Sequence, residues 1–108
     1  MTTATPQDPP DDLIATVTDY KGRTVWLTQE RMNHIQENHR EVRADHIKRA
    51  LETADTRTQG NRPNTEKLWA RNIPPAKWFT VVVAYEGRLG RVKTAIPSSD
   101  DPKTGELI

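Results

Sequence analysis

A chain of 108 residues has room for one domain, and a mean hydropathy of −0.85 with 33% apolar residues implies a small core. The 16 basic and 15 acidic residues nearly cancel, yet between Tyr20 and Thr94 stand 15 Lys or Arg against 8 Asp or Glu, a basic body of net +7 with acidic ends. That asymmetry suits a polyanion partner as well as ordinary solubilising charge. The absence of cysteine excludes disulfides and thiolate metal sites. No apolar run approaches the ~20 residues of a membrane span, and no basic-then-apolar leader opens the chain, so a cytoplasmic protein without a membrane partner is expected.

Residues 1–12 (MTTATPQDPPDD) have little to bury and predict a disordered tail. Leu13–Thr18 and Arg23–Leu27 read as two short strands joined by a turn at Asp19-Tyr20-Lys21-Gly22. Thr28 is an N-cap, with Gln29 and Glu30 in the first turn of a helix that runs to Asn38 or His39. A second helix, Ala44–Ala54, carries Ile47, Ala50, Leu51 and Ala54 at helical spacing.

Asp55–Thr65, with Gly60 and Pro63, reads as a strand end plus loop, and Glu66–Asn72 as a strand broken at Ile73-Pro74-Pro75-Ala76. Lys77–Tyr85 is apolar on both faces, with Phe79, Val81, Val83 and Tyr85 opposite Trp78, Val82 and Ala84, which marks a central strand. Glu86-Gly87-Arg88 turns into Leu89–Ile96, Pro97 closes the sheet, and 98–108 is a second tail. The expected fold class is α+β: two N-terminal-half helices packed on one face of a four- to five-stranded antiparallel sheet, in a single domain over 13–97.

Two constellations could carry chemistry. His34 and His39 share the first helix, and histidine titrates near neutrality. Their i, i+5 spacing does not converge on a regular helix and departs from the i, i+4 of helical metal pairs, so no metal site is expected. His39 lies on the side of Met32 and Ile35, leaning toward the sheet, where it either acts in acid–base chemistry or caps the helix C-terminus. His46 is expected on the solvated surface.

On the strands, alternation places Lys67, Trp69 and Arg71 on one face, and Arg91, Lys93 and Ala95 on one face opposite Val92, Thr94 and Ile96. Cations interleaved with an aromatic suit single-stranded nucleic acid, and equally suit a solvated face whose Trp69 covers the core edge. Thr94 could orient a phosphate oxygen or satisfy a backbone group.

The ordered segments TVWLTQERMNHIQENH, EKLWARN and KWFTVVVAYEGRLGRVKTAIP, between Thr24 and Pro97, resemble one group of proteins. These are the phage- and polymorphic-toxin-associated nuclease domains of the barnase–EndoU–colicin–RelE-like superfamily. The resemblance spans roughly two-thirds of the chain. It implies a metal-independent, cofactor-free ribonuclease acting as a toxin on tRNA or other RNA, with an antitoxin or immunity protein as a further partner.

Carried over by motif, the resemblance implies a site of His34 and His39 in HIQENH, Lys67 and Arg71 in EKLWAR, and Lys93 and Thr94 in VKTA. From the strand faces, Trp69 and Arg91 are expected as further RNA contacts. The family pattern commonly continues the second histidine with Pro-Glu, whereas Arg40-Glu41 stand here. The implied reaction is attack by the RNA's own 2′-hydroxyl, which leaves a 2′,3′-cyclic phosphate. The competing expectation is a non-catalytic RNA- or ribosome-binding domain, or a phage or immunity interaction domain, of the same fold.

Overall fold

The computed structural model describes residues 8–74, 76–99, 102 and 106–107. In chain order the elements are β1 (Leu13–Thr18), β2 (Thr24–Thr28), α1 (Gln29–Asn38), α2 (Ala44–Thr53), β3 (Thr56–Gln59), β4 (Thr65–Ile73), β5 (Ala76–Glu86), β6 (Leu89–Ser98) and β7 (Glu106–Leu107). The α+β class and the two helices on one sheet face are as expected. The strand count is not: among the described residues seven strands run in the order β1-β2-β6-β5-β4-β3-β7. Nor is the sheet wholly antiparallel, because β2 pairs with β6 in parallel from Thr24↔Leu89 to Trp26↔Arg91.

The additional strands come from polar segments. Thr56–Gln59 carries little apolar signal, but it completes a hairpin with β4 through Thr56↔Trp69 to Gln59↔Glu66. The Glu106–Leu107 backbone then pairs with β3. At the other end of the chain, the Asp12 carboxylate accepts from Glu30 N–H at 3.0 Å and its carbonyl from Gln29 N–H at 2.8 Å. These bonds satisfy orphan donors at the N-terminus of α1, alongside Thr28, whose hydroxyl accepts from Arg31 N–H.

The inner face is the core. Val17, Val25, Leu27, Leu68, Ala70, Phe79, Val81, Val83, Val92 and Ala95 meet Met32 and Ile35 of α1 and Ile47, Ala50 and Leu51 of α2. Three fully enclosed valines on adjacent central strands leave no room for a polar group there. His46 is not a solvated bystander. Its Nδ1 accepts from Arg43 N–H at 3.0 Å while its own N–H donates to the Arg43 carbonyl at 3.1 Å, tying down the start of α2, and its ring packs 6.0 Å from Phe79.

Candidate nucleic-acid interface

The face turned away from the helices is laid out by register. Thr16, Trp26, Arg91, Ala84 and Thr65 form one cross-strand row; Thr94, Val82, Lys67 and Thr58 form the next. Then come Ile96, Thr80, Trp69 and Thr56, and finally Ser98, Trp78 and Arg71. All three tryptophans of the chain lie on this face. Two carry a guanidinium: Arg91 lies 5.7 Å from the Trp26 ring centre and Arg71 5.2 Å from that of Trp78.

Simple alternation fails on β6, for a physical reason. The ladder passes from Val83↔Val92 to Val82↔Thr94, so Lys93 is the extra residue of a β-bulge. Beyond the bulge every side chain changes face. Arg91, Thr94 and Ile96 therefore share the open face while Val92 and Ala95 point into the core, which corrects the expected grouping of Arg91 with Ala95. Thr94 faces outward and is half-buried.

Helix α1 supplies a wall. Pairing of β2 with β6 ends at Trp26↔Arg91, and α1 packs alongside the rest of β6. Arg31 there donates to the Lys93 carbonyl at 3.3 Å. Across the face, the loop between β3 and β4 contributes Asn61 and Arg62. This loop is held by Asn64, which adopts a left-handed φ of 63° and accepts from Tyr85 N–H at 2.8 Å. Arg31, Asn61, Arg62, Lys67, Lys93 and Thr94 thereby surround a cleft of about 540 Å³ whose floor includes Val82 and Ile96. Lys67 and Thr94 stand two strands apart in one row, ~9.5 Å between backbones.

Among the described residues, neither Lys67 nor Lys93 makes a side-chain ion pair, so both ammonium groups are available to an anion. The structure brings Lys67, Lys93 and Thr94 together and holds Arg71 apart, where its Nε donates to Asp55 at 3.0 Å. Arg91 and Trp69 occupy the flanking rows.

Neither His34 nor His39 lines the cleft. His34 is exposed, one helical turn from Arg31 on the same side of α1 (i, i+3). His39 is the C-cap residue, its backbone N–H donating to Ile35 at 2.9 Å and its imidazole 3.9 Å from Glu41. Arg31 and Arg62 escaped the sequence reading because their approach depends on where β2 ends and how a loop folds back.

A second polar cluster closes the inner face at the same end of the sheet. Asp19, whose side chain is 0% exposed, accepts from Lys21 and Arg23 N–H at 2.9 and 2.8 Å, from Arg23 Nε at 3.0 Å and from Tyr85 Oη at 2.6 Å. Arg23 donates both terminal nitrogens to Glu66 at 2.9 and 3.0 Å and stacks 3.6 Å from the Tyr85 ring centre. Burial and then the Asp19 hydrogen bond push the Tyr85 pKa far up. Burial works against the Arg23 charge, but the Glu66 bond and the surrounding negative groups outweigh it and raise its pKa. With every charge paired, this cluster is built for structure and leaves no group for chemistry.

Comparison with protein-family models, with curated proteins and with solved structures finds no match to this chain.

Proposed function

We propose that this protein binds RNA on its open sheet face and cuts it as a metal-independent endoribonuclease, using the RNA's 2′-hydroxyl as nucleophile. One observation carries the reading: four basic side chains from α1, β4, β6 and the 61–62 loop converge with the Thr94 hydroxyl on one cleft, flanked by tryptophans. The sequence resemblance to toxin-associated nucleases supports the same assignment.

In this reading Lys67, Lys93, Arg31 and Arg62 neutralise the phosphate as charge builds on its oxygens, and Thr94 orients one of them. His34, beside Arg31, takes the 2′-proton, and a cleft lysine protonates the departing 5′-oxygen. Arg71, Arg91 and the tryptophans hold the flanking strand, and His39 serves as the helix cap. The setting proposed for this activity is that of a toxin acting on tRNA or other single-stranded RNA in the cytoplasm and restrained by an antitoxin or immunity protein.

The test is incubation of purified protein with tRNA and total RNA in excess EDTA. The expected products carry 2′,3′-cyclic phosphate and 5′-hydroxyl ends, and His34→Ala lowers cleavage by about 10²- to 10⁴-fold with RNA affinity nearly unchanged. Cleavage of an all-deoxy strand at a similar rate refutes the mechanism. One observation favours a second reading, binding without cleavage: neither imidazole lines the cleft. Strong, salt-dependent RNA binding with no cut product would establish it.

A further inference from the structure

Thr80 is an anomaly in the middle of β5. It is 4% exposed, and its hydroxyl is the buried side-chain oxygen that, among the described residues, has no hydrogen-bond partner. An enclosed hydroxyl without a partner weakens a fold, and valine would fill the same space without that cost. The hydroxyl calls for a role that the fold does not supply.

Its surroundings suggest one. Thr80 pairs with Trp69 on one side and Ile96 on the other, all on the open face. The Trp69 ring is pinned, its Nε1 donating to Thr58 Oγ1 at 2.9 Å while it packs in a T-shaped pair with the Trp78 ring, centres 6.1 Å apart. Ile96 is 41% exposed, a large aliphatic side chain left in water and able to change rotamer at little cost. The next row holds Lys67, Val82 and Thr94 of the cationic cleft, two residues along each strand and ~6.7 Å away. That offset matches the reach from a nucleotide's phosphate to its base.

We infer that Thr80, Trp69 and Ile96 form a subsite for the base of an unpaired nucleotide whose phosphate lies among the cations of the cleft. The inference rests on the RNA reading above and adds what that reading lacks, a reason for the cleft to prefer single-stranded RNA over any other polyanion. On binding, the base displaces Ile96, lies against the Trp69 indole, and presents a polar edge to the Thr80 hydroxyl.

The test uses the whole protein at fixed salt, with intrinsic tryptophan fluorescence reporting titration by a short mixed-sequence oligoribonucleotide and by an abasic strand of equal length. The wild type should bind the base-bearing strand at least about 10-fold more tightly. Thr80→Val should raise the urea midpoint yet weaken the base-bearing strand about 3- to 10-fold, leaving the abasic strand unaffected. Ile96→Ala, which removes the side chain the base must displace, should preserve or strengthen the same preference; its loss in that variant overturns the subsite. Equal affinity of wild type and Thr80→Val for the base-bearing strand overturns the subsite, as does a wild type indifferent to bases. If the abasic strand still binds with a steep salt dependence, only the subsite falls; if neither strand binds, the RNA reading falls with it.

Discussion

Replacing Tyr85 by phenylalanine removes one hydroxyl from the buried cluster of Asp19, Arg23 and Glu66. The hydroxyl donates to Asp19 Oδ2 at 2.6 Å, and Asp19 retains three other donors, from Lys21 N, Arg23 N and Arg23 Nε. No acceptor is stranded, so the loss is one charge-assisted hydrogen bond, about 1.5–3 kcal/mol, rather than the 3–5 kcal/mol of an abandoned buried charge. The phenyl ring keeps its place beneath Arg23. The pH dependence follows from sign. Burial first, and then the bond to Asp19, raise the Tyr85 pKa in the folded state, while the unfolded phenol ionises near its ordinary value of about 10. Stability from this group is therefore complete below about pH 10 and is lost as pH rises further, at up to ~1.4 kcal/mol per pH unit. Tyr20, also raised by burial and then by Glu66, is present in both proteins and cancels in the comparison. Urea unfolding at about pH 8 and about pH 11 reads the difference: the gap between wild type and Tyr85→Phe should narrow at the higher pH. A gap that stays constant, or a variant as stable as wild type at the lower pH, refutes the argument.

The cleft and the inner face make further predictions. Lys67→Ala and Lys93→Ala should each weaken RNA binding and reduce the slope of log affinity against log salt by about 0.7, one phosphate contact on a single strand. Arg71→Ala should change that slope less, because Asp55 already offsets its charge; filter binding across a salt series decides it. Gly90→Ala should cost about 1–3 kcal/mol by urea denaturation, since a Cβ there meets Tyr85 Cε1 at 2.7 Å and Val83 Cγ1 at 2.8 Å in a close-packed region.

What the sequence makes legible is whatever its local period carries. Thr28 as N-cap, the buried stripe of α2 and the two faces of β5 all follow from side-chain spacing within one element, and the structure has them so. The faces of β6 were legible only up to Lys93, because a bulge depends on how two strands meet and one extra residue reverses all that follow. β3 was hidden because its TRTQ sequence carries little apolar signal, and its partly buried place between β4 and the two-residue β7 tolerates polar side chains. Asp19 did carry a usable signal, an acidic residue opening a turn whose side chain can accept nearby backbone N–H groups. Tyr85, which donates to Asp19 across 66 residues, and Glu66, which accepts from Arg23 across 43, could be found only in the fold.

The paired inner cluster and the open cationic cleft are two faces of the same strand end. Glu66 turns inward to Arg23 while its neighbour Lys67 turns outward into the cleft, so the bidentate bond that anchors one sets the position of the other. Tyr85 does the same for the loop: its hydroxyl holds Asp19, and its N–H holds the Asn64 carbonyl at the base of the segment that carries Arg62. A face that collects like charges, as the proposed phosphate-binding cleft does, keeps its geometry only if its backbone is fixed from behind. Here the fixing is done by charges of both signs, fully paired and shielded from salt, beneath Lys67 and Lys93, which make no side-chain ion pair among the described residues and are open to it. Salt should therefore weaken what the cleft binds far more than it weakens the fold.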